Sequence, residues 1–454
     1  MKFSLLAAAL LLAGCVSVPA IDPASLPASA AAFKEAPPVT AAAKAQEQGA
    51  WWRVFQDPVL DGLVERAERN NNSIHVAAAR LAQARALVRT TDAQRMPQVG
   101  VGGGVSRGAD LTTGSRATTV GSAGANLSYE IDLFGRLGEA TRAATLDAKS
   151  REALLASTRL LVQAEVAQAY LLIRAVDTER ALVRDTVTAY RASLGLVERR
   201  HAAGDIAELD VARVRTEVAA TEAEAIALDR RRAELEHALA VLVGEAASNF
   251  SLAERDWDTR LPVIPSGVPS VVLERRPDIA AAQQTMLASQ ARVGVAKAAW
   301  FPTFSLTADG GFASTELSDI FKWSSRAWGV GALLSLPIFD GGRRSAELER
   351  SRAELDATLA QYREQVLVAF RDVEDQLSGL KLLAQQAEAQ RSAVESARRA
   401  TSLSESRYRN GYVSQLELLD AQRSELRNRR AALQVKSAQH QTTVALVRAL
   451  GGGW

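Results

Sequence analysis

Cysteine is almost absent from this chain. Cys15 is the only one in 454 residues, which excludes an internal disulfide. Histidine is nearly as scarce: His75, His201, His237 and His440 stand far apart and form no HExxH motif. With no metal-ligand spacing and no cysteine nucleophile, the sequence predicts a protein that is not an enzyme and that needs no cofactor and no metal.

An excess of charge of one sign is also lacking, because 54 lysines and arginines are matched by 52 aspartates and glutamates. This balance argues against nucleic acid as a partner. After the N-terminus no apolar run approaches the ~18 residues of a membrane-spanning helix. If the chain crosses a membrane, we therefore expect it to do so as a β-barrel.

The N-terminus has the features of an export signal. A basic residue precedes an apolar run from Phe3 to Leu12, which is too short to span a bilayer and ends in a lipobox at Cys15. The sequence predicts a signal peptide over 1–14, a lipid on the Cys15 thiol and an extended lipidated segment over 15–57. Because Val16 rather than an aspartate follows, the segment resembles those of bacterial lipoproteins sent to the outer membrane.

Several landmarks recur at an offset of 205 to 207 residues, in the same order along the chain. They include the pairs Ile74 and Ile279, Pro97 and Pro302, Arg136 and Arg343, Gly204 and Gly411, and Gly244 and Gly451. This pattern predicts a tandem duplication, with one repeat over 58–244, a linker over 245–275 and a second repeat over 276–454.

Each repeat contains two stretches in which apolar and polar residues alternate, as they do in a strand with one apolar face. The four predicted strands are about 97–106, 122–133, 302–313 and 327–338. Each has roughly the 9 to 11 residues that a tilted strand needs to cross a bilayer, with apolar side chains toward lipid and polar ones toward a lumen.

The remaining sequence favours long helices, because no proline occurs between Pro97 and Pro262 or after Pro337. Continuous helices are predicted over about 137–200 and 343–407. Each would reach roughly 95 Å at ~1.5 Å per residue, far more than a globular domain requires. Shorter helices are predicted over about 58–95, 206–242, 277–299 and 413–449.

Four strands cannot close a barrel alone, because known transmembrane barrels begin at about eight strands and an open edge in lipid is costly. The chain is therefore expected to oligomerise. A trimer would supply twelve strands and a tetramer sixteen, and the periodicity does not choose between them. The segments at about 107–121 and 313–327 are loops, so all long helices leave the barrel on one side.

Several short motifs resemble those of the outer-membrane factor family, the TolC- and OprM-like proteins, and especially its NodT-type RND efflux lipoproteins. These motifs are the Trp51-Trp52 opening that continues to Asp57-Pro58, the run Arg275 to Ile279, and the junctions Asp132 to Arg136 and Pro337 to Arg343. The resemblance implies an α+β membrane channel-tunnel. Three chains would form a twelve-stranded transmembrane β-barrel, continued by a long periplasmic α-helical barrel that is closed at its far tip.

The same resemblance implies a passive exit duct for drugs or other small toxic compounds. Its partners would be two further copies, a periplasmic membrane-fusion adaptor, an inner-membrane transporter of RND type and outer-membrane lipid. A duct for metal-cation efflux or for type I protein secretion shares this architecture. A coiled-coil lipoprotein that acts as a structural tether is a more distant alternative, which fails to explain the alternating strands.

Two helical hairpins share a tip motif, Arg-x3-Gly-x5-acid, in which glycine lets the chain reverse in a left-handed conformation. The motif alone describes a capped hairpin, but the free end of the tunnel is also where an adaptor would dock. The residues predicted for this contact are Arg200, Gly204, Asp205, Asp210, Gly411, Tyr412, Val413 and Glu417.

The second tip also carries a predicted aperture. Leu416, Asp420 and Arg423 lie at i, i+4 and i+7, on one face of one helix, and threefold symmetry would turn them into one apolar and two charged rings. By resemblance, Arg407 and Tyr408 tether the inner helices. An ordinary amphipathic turn is the alternative.

Overall fold

The computed structural model describes residues 20–22, 32–36, 50–109, 117–265 and 269–453. The signal peptide, Cys15 and most of the predicted lipidated segment lie outside the described residues. The chain divides into two compact units. The first contains Ala78–Leu154 and Asp278–Gln365, and the second contains Leu155–Pro277 and Val366–Trp454 with the described part of 28–77.

Helices account for most of the described residues, and two of them are 67 residues long. The helices are α1 (Pro58–Asn70), α2 (Asn72–Ala93), α3 (Arg136–Ala202), α4 (Glu208–Leu242), α5 (Pro269–Arg275), α6 (Pro277–Ala298), α7 (Arg343–Arg409) and α8 (Gln415–Ala449). The long helices α3 and α7 contain no proline, as the sequence predicts. No helix in the described ranges is both long enough and apolar enough to cross a membrane.

The single helix predicted over 58–95 is wrong, because the chain is interrupted at Asn71. The backbone of Asn71 is extended, and its side-chain oxygen accepts hydrogen bonds from the N–H groups of Ser73 and Ile74. Its amide nitrogen donates to the carbonyl of Leu242 over 2.8 Å. An asparagine side chain thus replaces the helical hydrogen bonds and starts α2 as a cap.

The four strands predicted from alternation are present as one antiparallel sheet in chain order. They are β1 (Gln98–Gly108), β2 (Thr118–Ile131), β3 (Thr303–Ser314) and β4 (Arg326–Ser335). Within the described residues, β1 and β4 each pair with one neighbour only, so the sheet has two open edges.

The register of the sheet sorts apolar and polar residues onto opposite faces. One cross-strand row contains Val99, Leu127, Ala308 and Val330. The next row contains Gly100, Asn126, Asp309 and Gly329. Because a shift of one residue would exchange the two faces, this alternation excludes registers shifted by one residue.

The junction between β2 and α3 explains the motif that runs from Asp132 to Arg136. Gly135 has a φ of +78°, and the carboxylate of Asp132 accepts hydrogen bonds from the N–H groups of Leu137 at 3.1 Å and Gly138 at 2.7 Å. A carboxylate at this position satisfies N–H groups that have no partner inside the helix. Asp132 is therefore the cap that starts the long helix.

At the second junction, an aspartate again accepts hydrogen bonds from N–H groups at the start of the long helix, here α7. The carboxylate of Asp340 accepts hydrogen bonds from the N–H groups of Gly342 at 3.1 Å and Arg344 at 3.3 Å. The Nε of Arg344 also donates to Asp340 over 2.7 Å, and this contact lowers the pKa of the carboxyl group. An aspartate thus starts both long helices.

The second unit buries the aromatic opening motif. The indole of Trp51 is fully buried and donates to Gln163 over 2.9 Å. Asp57 caps α1 and accepts a 2.6 Å hydrogen bond from the hydroxyl of Tyr170. Burial, together with this bond to Asp57, raises the pKa of Tyr170 to about 12, so the hydroxyl remains a donor. The motif therefore anchors α1 on α3.

Replacing Gly244 by alanine should destabilise the fold more than the same change at Gly204. Both have positive φ, at +76° and +83°, so a side chain costs about 1 kcal/mol of strain at either position. A Cβ at Gly244 would also collide with the backbone carbonyl of Asn70, whereas Gly204 faces open space. We expect Gly244→Ala to cost roughly 2 kcal/mol or more. Thermal unfolding followed by circular dichroism tests this, and equal shifts for the two variants would refute it.

Candidate functional site

Two helical hairpins, α3–α4 and α7–α8, end in turns of the same geometry. Gly204 has a φ of +83° and Gly411 a φ of +76°. In the first turn Asp205 N–H donates to the carbonyl of Arg200 over 2.9 Å, and in the second Tyr412 N–H makes the equivalent bond to Arg407 over 2.9 Å. This is the Schellman arrangement, in which the residue after a left-handed glycine bonds back across the last helical turn.

The arginines of the tip motif take part in the two turns through their backbone. It is the carbonyl groups of Arg200 and Arg407 that accept the closing bonds. The Arg200 guanidinium instead contacts the other hairpin, where its Nη1 donates to the hydroxyl of Tyr408 over 3.3 Å and its carbon lies 5.8 Å from the Tyr408 ring centroid. Arg407 approaches Glu417 at 3.9 Å. Side chains of the two repeats therefore meet beside the turns.

Next to the turns, small apolar clusters pack the helices of the hairpins together. Val197, Val211 and Val214 are buried together within the first hairpin. Tyr190 of α3 packs with Leu419 of α8, so this second cluster joins the two hairpins. The turns thus project from helices that are already packed.

Most of the residues predicted for the adaptor contact are exposed. Gly204, Asp205 and Gly411 are exposed, and the side chain of Tyr412 is 75% exposed. Val413 differs, because it is half-buried. Of the two acidic residues in the motifs, Asp210 is half-buried and approaches Arg213 at 3.5 Å, while Glu417 is exposed and donates its N–H to the Ser414 cap.

The predicted aperture residues share one face of α8. Leu416 is 39% exposed and Asp420 is exposed, whereas Leu418 and Leu419 of the same helix are buried. Arg423 lies 3.2 Å from the carboxylate of Asp420 and is half-buried. Leu416 and Asp420 are therefore turned away from the core of their own chain, while Arg423 lies at the edge of this exposed surface.

Arg423 has a second partner that the sequence alone did not identify. It forms an ion pair with Glu217 of α4, and this contact raises the pKa of the guanidinium. Glu217 and Arg423 are 206 residues apart, whereas the tips recur at an offset of 207, so the two are not equivalent positions of the two repeats. The sequence therefore offered no signal for this pair.

Two further observations concern the rest of the molecule. Among the residues that the structure describes, no group of three or more His, Cys, Asp or Glu side chains is placed to hold a metal ion. The predicted lipidation site, Cys15, is not among the described residues.

Most of the chain, over residues 63–245 and 268–452, matches the model of a family described as outer membrane efflux protein. The chain is 36% identical to the pyoverdine export outer membrane protein OpmQ of Pseudomonas aeruginosa, over all of this chain and 97% of OpmQ. It is 34% identical to the toluene efflux pump outer membrane protein TtgC of Pseudomonas putida, over 99% of this chain and 95% of TtgC.

Among solved structures, the outer-membrane channel OprN is similar to this chain with a TM-score of 0.89 at 31% identity. The alignment covers 97% of this chain and all of the OprN chain. This likeness confirms the predicted fold class, the channel-tunnel.

Proposed function

The chain belongs to the outer membrane efflux protein family, and we propose that three copies of it form a passive, lipid-anchored exit duct. The protein is located in the outer membrane, where it is the channel component of an efflux pump. In the proposal, an inner-membrane transporter of RND type supplies the energy and a periplasmic membrane-fusion adaptor connects it to the duct. The chain itself catalyses no reaction and holds no cofactor.

The observation that carries this proposal is the four-stranded sheet with two open edges. Its rows alternate between apolar sets, such as Val99 with Leu127, and polar sets, such as Asn126 with Asp309. Unpaired backbone groups at an edge cost several kcal/mol each in lipid, so β1 and β4 need partners there. Pairing β4 of one copy with β1 of the next closes a cylinder of twelve strands with a polar interior.

The tips supply the proposed adaptor contact. Asp205 and Tyr412 are exposed at turns that a left-handed glycine and a backbone hydrogen bond close. Exposed tyrosines are favoured in protein interfaces because they bring a large apolar surface and a polar hydroxyl at a low entropic cost. Preformed turns of this kind suit a docking site, since little order has to be gained on binding.

The second hairpin supplies the proposed aperture. Leu416 and Asp420 are exposed on α8, and Arg423 lies beside them on the same face of the helix. Around a threefold axis they form an apolar ring followed by charged rings, and such rings can block a narrow pore. The adaptor would open it by binding better to a state in which the α7–α8 hairpin has moved away.

For the exported substrate we propose small toxic organic compounds. Support comes from two relatives, one of which is named for the export of pyoverdine and the other for the efflux of toluene. A duct for metal cations or for secreted proteins remains the alternative within the same architecture. The lipobox at Cys15 weighs against the secretion duct, and the four-stranded sheet argues against a simple coiled-coil tether.

The proposal predicts that removing this protein from a host that lacks its other efflux channels raises the accumulation of ethidium, and that supplying the gene again restores efflux. Sensitivity to copper and silver salts is measured in the same strains. Unchanged ethidium accumulation together with new metal sensitivity would support the cation duct instead. Unchanged ethidium accumulation together with unchanged sensitivity to copper and silver salts would contradict an efflux role.

A further inference from the structure

The apolar face of the sheet carries two charged residues among the described strand residues, and both are arginines. They are Arg107 of β1 and Arg326 of β4, which the register places on this face, at the same end of the sheet. We call them the rim arginines. The opposite face carries the carboxylates Glu130 and Asp309 instead. Cations are thus confined to one rim of the apolar face, and no strand carboxylate shares that face with them.

The rim arginines lie at the end of the sheet that is far from the helices. Helices α2 and α6 precede β1 and β3, and α3 and α7 follow β2 and β4, so all four helices leave at the other end. Because the tunnel of this outer-membrane protein extends into the periplasm, the arginine end faces the exterior. Strand β4 has 10 residues. At ~3.4 Å per residue and a tilt of ~40°, such a strand rises roughly 25 Å, the height of the apolar band of a membrane barrel. Arg326, its first residue, therefore lies at the boundary between lipid and external water.

The loop between β3 and β4 folds back over this end of the apolar face. A Cβ at Gly121, on the apolar face of β2, would lie 3.1 Å from Leu317 and 3.3 Å from Ile320, so both loop side chains cover the strand there. Phe321 packs edge-to-face on Phe312 of β3, with ring centroids 5.9 Å apart. The loop therefore presents apolar side chains on the side of the sheet that meets lipid.

An aromatic ring of this loop supports one of the rim arginines. The guanidinium carbon of Arg326 lies 4.4 Å from the ring centroid of Trp323, and its Nη1 donates to the Trp323 carbonyl over 3.2 Å. The loop carboxylate of Asp319 is paired with Lys322 at 2.7 Å. Within the described residues neither rim arginine forms an ion pair, with Glu316 of the loop or with any other carboxylate. Both guanidinium groups are therefore open to a partner outside the chain.

We propose that the rim arginines bind the phosphate groups of outer-leaflet lipid, with the β3–β4 loop lying in the headgroup layer. An arginine on a lipid-facing strand is costly at the middle of the bilayer and tolerated near its surface, where these phosphates lie. Guanidinium groups bind phosphate through paired, charge-assisted hydrogen bonds. Aromatic side chains favour the same layer, and Phe321, Trp323 and Trp328 at this rim are between 74% and 77% exposed.

In the proposed duct, on which this inference rests, β4 of one copy pairs with β1 of the next. That pairing brings Arg326 of one copy and Arg107 of the next to the same rim, so two arginines from each of three chains surround the barrel. The partner is a lipid rather than a free anion, because the rim is continuous with the apolar face that meets the acyl chains. A bound phosphate would complete the rim arginines while the acyl chains cover the strands below.

The test measures lipid binding by native mass spectrometry of the purified, full-length protein in a neutral detergent. The probe is phosphatidylglycerol, and the comparison lipid is a galactosyl diacylglycerol with the same acyl chains and no phosphate. We expect the wild-type protein to bind phosphatidylglycerol on the order of tenfold more tightly than the galactolipid. The Arg107→Gln, Arg326→Gln double variant should lose this preference. Both side chains are exposed, so the fold should be retained, which circular dichroism checks.

The matched control is the Arg352→Gln, Arg399→Gln double variant, which removes two exposed arginines of α7, outside the sheet. It should keep the preference of the wild-type protein. Equal binding of the two lipids by the wild-type protein would overturn the proposal, and so would an equal preference in the two double variants. Displacement of phosphatidylglycerol by inorganic phosphate would overturn the assignment to lipid. The same spectra count the chains, so loss of the trimer, which would contradict the duct, is distinguished from loss of lipid.

Discussion

Cells that produce the Asp420→Ala, Arg423→Ala double variant are expected to become sensitive to vancomycin, which is normally too large to pass the outer membrane. In each chain Arg423 is tied to Asp420 at 3.2 Å and to Glu217 of α4. The double variant removes both ties. It also removes the charged rings that threefold symmetry would place across the aperture.

The expected effect is large because three chains act together. A partly exposed ion pair contributes roughly 0.5 kcal/mol, and only the Arg423–Glu217 pair joins α8 to a second helix, so one pair in each of three chains gives about 1.5 kcal/mol in favour of the closed tip. A shift of that size changes the ratio of open to closed channels by on the order of tenfold. We therefore expect a fall of several twofold dilutions in the inhibitory concentration of vancomycin.

The matched control is the Arg191→Ala, Glu222→Ala double variant. These two residues form a 2.7 Å ion pair between α3 and α4, within the first hairpin, and belong to neither the aperture nor the contact between hairpins. Its cells should remain as resistant as those with the wild-type protein. If both double variants reach the outer membrane in equal amounts and neither admits vancomycin, the aperture assignment is wrong.

Cysteines placed on the two open edges of the sheet are expected to link three chains covalently. Val101 of β1 is 87% exposed and Val330 of β4 is 76% exposed, and the register places both on the apolar face. When β4 of one copy pairs with β1 of the next, the strands lie about 4.8 Å apart. A flexible bismaleimide applied to the Val101→Cys, Val330→Cys variant should then produce species up to three chain masses on a denaturing gel.

Each single cysteine variant is the control, because a cysteine on one edge has no partner cysteine on the adjoining edge. Both single variants should run as monomers after the same treatment. The native Cys15 thiol is predicted to carry lipid and so should not react. A ladder that extends to four chain masses would indicate a tetramer, and monomers alone would contradict strand pairing between copies.

Local periodicity made the strands and long helices predictable. Val99 and Leu127 stand in alternating runs, and this alternation decides which side chains share the apolar face and excludes registers shifted by one residue. The tip glycines, Gly204 and Gly411, were predictable because a Schellman turn requires positive φ and the motif occurs twice. These features depend on interactions between residues that are close in the sequence or repeated along it.

Contacts between distant residues were harder to predict. The break at Asn71 depends on a hydrogen bond to Leu242, which lies 171 residues further along the chain. The partner of Arg423, Glu217, lies on a different hairpin, and its assignment required the packing of α4 beside α8. Periodicity also did not give the number of chains in the oligomer, because open strand edges show that further strands are needed but not how many chains supply them.

Single-channel conductance in a planar bilayer tests whether three copies of the chain form a duct with a closed tip. The protein is purified with its lipid and shown to be folded and inserted. We expect a small conductance for the wild-type protein and a much larger one for the Asp420→Ala, Arg423→Ala double variant. If neither protein conducts ions, the chain does not form such a duct.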